Sequence, residues 1–348
     1  MIKSSPLAWA MHRRQRVNVL LGLIGFIAVC HYTLSLFSTN SYPQNRNLSM
    51  VTNTPEKSAG FSHKGQRPTK ALVVASMSSD DTSWIQDNIR GWQINRYIGD
   101  SEVSHPRVPK NKGREAMVYL SYMIDYYDTL PDVMVFMHSQ RYQWHNDDPL
   151  YDGVPVLQNL QIPFVLSQGY VNLRCVWILG CPAELQLDPE FINSPEQASQ
   201  TTQLEYGKAF GEIFPNETLP MVVGVSCCGQ FALTREKIRS RSREDYIHWR
   251  QWLLETPLDD AISGRVFEYS WHIIFGKEAV HCPNAKECYC NVFGLCNLEC
   301  GEEGTCGNRW ILPPSSTLPQ GWPARGWNGE SQDEETLARL RNSSISPT

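Results

Sequence analysis

The 348-residue chain has no surplus of positive charge: 31 Lys and Arg stand against 36 Asp and Glu, for a net charge of −5. Proteins that bind nucleic acid do so through clustered cations, so this balance speaks against such a partner. The G-x-x-x-x-G-K-[ST] loop of P-loop nucleotide hydrolases is missing, and so is the paired C-x-x-C spacing of a zinc ribbon. Internal repeats are absent as well, which sets aside solenoid and propeller architectures. One window has no charge at all: Val17 to Phe37, VNVLLGLIGFIAVCHYTLSLF.

That window is long enough to cross a bilayer and longer than the apolar core of a cleaved signal peptide. Lys3, Arg13, Arg14 and Arg16 precede it and no acid does, which by the positive-inside bias leaves residues 1–16 cytoplasmic. The expectation is a single-pass type II membrane protein with a signal-anchor at 17–37. The bulk of the chain then faces the lumen of the endoplasmic reticulum or Golgi. Residues 38–70 turn to Ser, Asn, Thr, Pro and Gln, the composition of a flexible stem.

The cysteines agree with that compartment. Cys30 lies in the apolar span and ten lie beyond it: Cys175, Cys181, Cys227, Cys228, Cys282, Cys288, Cys290, Cys296, Cys300 and Cys306. An even number on the oxidising side of a membrane reads as disulfides, with connectivity not deducible from spacing. Asn47, Asn216 and Asn342 head acceptor sequons for glycosylation.

Between 71 and 281 the pattern alternates. ALVVA (71–75) and VMVFMH (133–138) are short apolar runs that suit strands buried in a parallel sheet. DTSWIQDNIRGW and NKGREAMVYLSYMIDYYD have helical spacing, the second with Ala116, Tyr119, Leu120, Met123 and Tyr127 on one face. IPFVLS near Ile162 reads as a further strand, and MVVGVSCCGQFALTREKIRSR as a β-rich run turning into a helix. EDYIHWRQWLLETP and DDAISGRVFEYSWHIIFG read as two amphipathic helices, the second stopping at Gly276. The expected fold class is α/β, a mixed sheet flanked by helices, followed by a cysteine-rich segment at 282–310 and a polar tail at 311–348.

Four polar clusters are candidates for chemistry. Asp80 and Asp81 follow the first strand, where open α/β sheets bind ligands, although Ser and Asp there also suit a helix cap. Asn111, Lys112, Gly113, Arg114 and Glu115 open a helix and could meet a phosphate, or simply start the helix. His138, Gln140, Arg141, His145, Asp147 and Asp148 crowd the loop after the second apolar run, as metal ligands or as a solvated loop. Arg265, Glu268 and His272 fall on successive turns of one expected helix, as a general base with its neighbours or as an ion pair.

NKGREAMVYLSYMIDYYDTLPDVMVFMHSQRYQWHND, GYVNLRC, CCGQFALTREKI, SGRVFEYSWHIIFG and ECYCNVFGLC together resemble a fungal family known only as a domain of unknown function (DUF3431). More distantly, the order ALVVASMSSDD, NKGREAMVYL, VMVFMHSQ is similar to that of GT-A type nucleotide-sugar glycosyltransferases. The resemblance implies a GT-A-like, Rossmann-like sheet that transfers a sugar from a nucleotide-sugar to a glycan or glycoprotein acceptor. On it, Asp81 contacts the nucleotide, Asn111 to Glu115 support the diphosphate, and His138, Gln140 and Arg141 complete the donor site. Glu268 takes the acceptor proton, with Asp259 and Asp260 as substitutes. Such enzymes hold Mn or Mg through an acid-x-acid motif; here that place reads His138-Ser139-Gln140, so a metal would fall to His145, Asp147 and Asp148, or cations would replace it. A non-catalytic glycan-binding or structural lumenal protein and a metal-dependent hydrolase are the rival readings.

Overall fold

The computed structural model describes residues 67–188, 201–307, 309 and 317–343. The expected membrane span, almost all of the stem and the sequon at Asn47 lie outside these residues. Among the described residues no helix is long and apolar enough to cross a membrane.

The two apolar runs become neighbouring parallel strands, β1 (Lys70–Ser76) and β3 (Val133–His138), with Leu72 opposite Val135. Strand β2 (Gln93–Ile98) joins the other edge of β1 in parallel. Strand β7 (Phe231–Thr234) runs antiparallel to β3, and β4 (Tyr170–Asn172) antiparallel to β7, giving the order β2-β1-β3-β7-β4. A smaller sheet combines β5 (Leu185–Gln186), β6 (Val222–Val225) and β8 (Val280–His281).

Period-two alternation sends the side chains of β1 and β3 into two cores, which explains why both strands read as unbroken apolar runs. Leu72, Val74, Val135 and Met137 pack with Trp84 and Ile85 of α1 (Ser83–Asn88), and with Tyr289 and Val292 of α10 (Ala285–Phe293). Ala71, Val73, Met134 and Phe136 face the opposite layer. That layer holds α2 (Glu115–Asp125), α5 (Thr201–Ile213), α7 (Arg243–Glu255), α8 (Asp260–Glu268) and α9 (Trp271–Ile274). The mixed α/β sheet flanked by helices is as expected from the alternation.

Three local expectations are corrected. IPFVLS is helical: α4 (Ile162–Gln168) begins with a proline in its first turn, where the missing N–H costs nothing. It follows the short α3 (Gly153–Gln158), capped by Asp152. DTSWIQDNIRGW holds only the six-residue α1, because the chain is extended at Ile89 and left-handed at Gly91 (φ 74°). The stretch DDAISGRVFEYSWHIIFG breaks into α8 and α9, since Ser270 turns its hydroxyl back to the Val266 carbonyl (2.6 Å). Elsewhere the polar signals fit: Thr234 caps α6 (Arg235–Arg239), Ser242 and Asp245 form a capping box on α7, and Asp333 caps α11 (Glu334–Asn342).

All ten described cysteines are paired. Cys175–Cys288 and Cys181–Cys282 tie the segment after β4 to the cysteine-rich stretch, whose own loops close through Cys290–Cys296 and Cys300–Cys306. Cys227 is bonded to its neighbour Cys228. Through α10 the cysteine-rich stretch forms part of the sheet's second core rather than a separate knot. Cys175–Cys288 spans 113 residues, so the Cys175→Ala/Cys288→Ala variant should lose about 3–5 kcal/mol in urea unfolding followed by tryptophan fluorescence. An unchanged midpoint would show that the packing around Tyr289 suffices alone.

Candidate active site

At the carboxyl end of β3 the chain encloses a cavity of about 780 Å³. Its walls include Arg114 and Glu115 at the start of α2, His138 at the end of β3, Trp144 and His145 in the next loop, Cys227 and Cys228 before β7, and Arg265, Glu268 and Tyr269 at the end of α8. Glu184 and Leu185 close one side. Backbone geometry directs the first of these. Gly113 (φ 66°) and Arg114 (φ 53°) are both left-handed, and a Cβ on Gly113 would lie 2.5 Å from Leu253 Cδ1. The chain therefore turns sharply into α2 and sets Arg114 and Glu115 at the rim.

Within the cavity the titratable groups form a line. Glu115 Oε2 lies 3.7 Å from His138 Nε2, and His138 Nδ1 lies 2.6 Å from His145 Nδ1. Two imidazole nitrogens this close share a single proton, so one ring donates and the other accepts. Burial pushes His138 down to about 4 and His145 well below its ordinary value, His145 further because of its neighbour, which leaves both rings neutral at pH 7. Burial pushes the carboxyls the other way: Glu115 rises to about 7, and so does Glu268, where the adjacent Glu115 adds to the effect. Gly229 (φ 68°) makes room for this pair, since a Cβ there would stand 3.0 Å from Glu115 Oε1.

A second layer holds these groups in place. Gln230, 3% exposed, accepts from the His138 backbone N–H (3.1 Å) and donates to the His145 carbonyl and the Asn146 side chain. Arg174, 2% exposed, donates to the Trp144 carbonyl (3.1 Å) and reaches Cys228 Sγ at 3.3 Å. Asp147 accepts from the backbone N–H groups of Cys175 (2.6 Å) and Val176 (3.2 Å) and from the Tyr289 hydroxyl (2.6 Å).

The remaining candidates take other positions. Asp81 is exposed and accepts from the Ser83 N–H at the start of α1; that bond holds its carboxyl below the usual range. With Asp80, Gln140 and Arg141 it lines a separate hollow of about 480 Å³, and Arg141 forks onto Asp152 (2.8 and 3.0 Å). Asn111 is exposed, Lys112 donates to the Thr256 carbonyl, and the Gly113 N–H donates to Asp260 (3.2 Å). Asp259 caps α8 through the Ile262 N–H, so Asp259 and Asp260 anchor the two ends of this junction. Asp148 accepts from the Leu150 and Asp152 N–H groups. His272, expected beside Glu268, lies on α9 beyond the helix break and bonds to the Ala279 carbonyl (3.0 Å). Asn216 is exposed, as is Asn342 at the end of α11.

Trp144, Arg174, Glu184, Gln230 and Tyr269 were not singled out from the sequence. None of them carries a usable local signal there, because each acts on partners from other elements. For a hard divalent cation the fit is poor. Ser139 is taken by Asp80 (2.6 Å), Gln140 lines the other hollow, and the oxygens of Asp147 are committed to backbone and Tyr289. Among the described residues the group of three metal-capable side chains within 4.8 Å of one another is Cys227, Cys228 and Glu268.

Fold and cavity together define a mixed α/β protein with a strand-end site built on two half-buried carboxyls whose pKa values are raised. The chain belongs to the family described as Protein of unknown function (DUF3431), whose model matches residues 72–291. No curated protein and no solved structure matches it.

Raised carboxyls make a sign-definite prediction. Between about 4.5 and 7 the folded chain keeps protons on Glu115 and Glu268 that the unfolded chain releases, so these groups lower stability as pH rises through that window. Urea midpoints of the wild type and the Glu115→Gln/Glu268→Gln variant at pH 5 and pH 8 should show a shallower decline in the variant. Parallel declines would mean that the two carboxyls titrate normally.

Proposed function

We propose that this protein is a glycosyltransferase that moves a sugar from a nucleotide-sugar donor to a glycan or glycoprotein acceptor, with Glu268 as general base. The observation that carries the proposal is the Glu268 carboxyl, half-buried at the end of α8 and raised to about 7 in a cavity that opens at the end of β3. A base poised near neutrality is matched to taking a hydroxyl proton. The blocks that resemble GT-A transferases, NKGREA, VMVFMH, CCGQF and FEYSW, lie more than a hundred residues apart at the extremes, yet each contributes to this one cavity or its support.

On this reading the acceptor hydroxyl gives its proton to Glu268 as its oxygen bonds to the anomeric carbon. The bond from that carbon to the diphosphate oxygen breaks, and the nucleoside diphosphate leaves with the electron pair. Arg114 at the start of α2 and Arg265 on α8 both face the cavity and supply positive charge for the leaving group. Their role takes the place of the acid-x-acid metal clamp, because His138 is neutral, Ser139 donates to Asp80 and Gln140 lines the other hollow. Neutral His138 and His145 then line the donor pocket as hydrogen-bonding groups. Five disulfides fit an oxidising lumen. With the uncharged apolar run at 17–37 they support a type II protein of the endoplasmic reticulum or Golgi.

The full chain should show a thermal shift with at least one UDP- or GDP-sugar, and the shift should not depend on manganese; silence across the panel would remove the transferase reading. Glu268→Gln should cut kcat by about 10²–10⁴-fold while keeping donor affinity. For the wild type kcat should rise as pH passes through about 7, because the base must be deprotonated. A flat profile between pH 6 and 8 would take Glu268 out of the role. Donor binding without turnover in any acceptor mixture would leave a binding protein on the same scaffold.

A further inference from the structure

The Cys227–Cys228 pair is unlike the other four disulfides. Those tie loops together, whereas a bond between adjacent residues closes no loop of chain and lines the cavity beside Glu268. Its two sulfurs and a Glu268 carboxylate oxygen lie within 4.8 Å of one another. Next to it sits a buried cation: Arg174, 2% exposed, points Nη1 at Cys228 Sγ across 3.3 Å. A disulfide sulfur is a weak acceptor for a guanidinium, but a thiolate in the same place makes a charge-assisted pair. The surroundings of Cys228 therefore suit the reduced state better than the oxidised one.

We propose that Cys227 and Cys228 form a dithiol–disulfide couple whose reduced form, together with Glu268, binds one zinc ion in the cavity. A dithiol reductant opens it: one thiolate of the reductant attacks a sulfur of the pair, the Cys227–Cys228 bond breaks, and the reductant's second thiol displaces the mixed disulfide. Two electrons pass to the protein, both cysteines become thiols and the reductant leaves as its own disulfide. Zinc then displaces the two thiol protons. Thiolate sulfur and carboxylate oxygen are both zinc ligands, and two of the first with one of the second leave water the fourth tetrahedral position, with ligand-to-ligand edges of roughly 3–4 Å. This separation is within reach of the present arrangement. The site excludes hard ions through its sulfurs, and it is distinct from the manganese or magnesium clamp of the transferase pattern. Zinc on Glu268 would also remove the base, a consequence that rests on the transferase reading; zinc uptake itself does not.

The test is a zinc titration rather than an activity assay. The full chain is reduced with dithiothreitol, freed of reductant by anaerobic gel filtration and titrated with Zn²⁺ alone against a chromogenic chelator, beside an untreated sample. The reduced wild type should take up about one equivalent more than the untreated chain. Cys227→Ser/Cys228→Ser should lose that equivalent after the same treatment, although the other disulfides are exposed to the same reductant. Glu268→Gln, which keeps both sulfurs and stands in should the double variant fail to fold, should bind it more weakly. Equal uptake before and after reduction, the same uptake by the double variant, or unchanged affinity in Glu268→Gln would each overturn the proposal. Zinc uptake with no transferase activity in any assay would leave this site standing and the transferase reading fallen.

Discussion

The site depends on one buried carboxylate that takes no part in it. Asp147, 2% exposed, draws three segments together: its own loop after β3, the backbone at Cys175 and Val176, and Tyr289 of α10. Backbone N–H groups and a phenol hydroxyl replace the water hydrogen bonds that the Asp147 oxygens give up on burial, which is the condition for burying them at all. Arg174 stands near enough for the two charges to act on each other, so the buried anion and the buried cation compensate in part. With this clamp in place the loop from Ser139 to Asp152 has a fixed course, and His145 is delivered to His138. Cys175–Cys288 reinforces the same junction covalently.

The clamp also explains a division of labour among acids that the sequence presents as equals. Carboxylates supplied with several donors serve as structural anchors, as Asp147, Asp148 and Asp152 do in the loop. Glu115 and Glu268 are left in the cavity with few donors and with each other as neighbours, and burial lifts both to about 7. The nearby histidines respond in the opposite sense to the same low polarity, falling so far that they carry no charge. At neutral pH Glu115, Glu268 and the two histidines therefore carry less charge than they would in water, and Arg114 and Arg265 stand at the cavity's edge. An incoming anion meets Arg114 and Arg265 without facing two full negative charges.

Much of the architecture was legible because burial on both faces leaves a direct trace in composition. ALVVA and VMVFMH could hardly be anything but inner strands, and the helix from Glu115 to Asp125 has the aromatic and aliphatic spacing of a packed element. IPFVLS was misread because a short apolar run has no period of its own; the proline in its first turn was the better guide. The break between α8 and α9 was hidden for another reason. It follows from one serine hydroxyl turning back on the helix, a contact that periodicity does not encode.

Among candidate residues the outcome turned on distance along the chain. Glu115, His138 and Glu268 reach one cavity although they stand far apart in sequence, whereas Gln140 and Arg141, close neighbours of His138, face another hollow because β3 ends at His138 and the chain beyond it no longer follows the strand. Density of polar residues in HSQRYQWHNDD thus overstated the metal-binding power of that stretch: its histidines and its aspartates point to different places. Gln230 and Arg174, which position the histidines and the loop, sit in β-rich surroundings where a lone polar residue looks incidental. Both are nearly inaccessible, and a polar group is retained at such depth when several donors and acceptors depend on it. The polar residues that matter most to this cavity are therefore those whose partners lie on other elements, and a local pattern has no access to them.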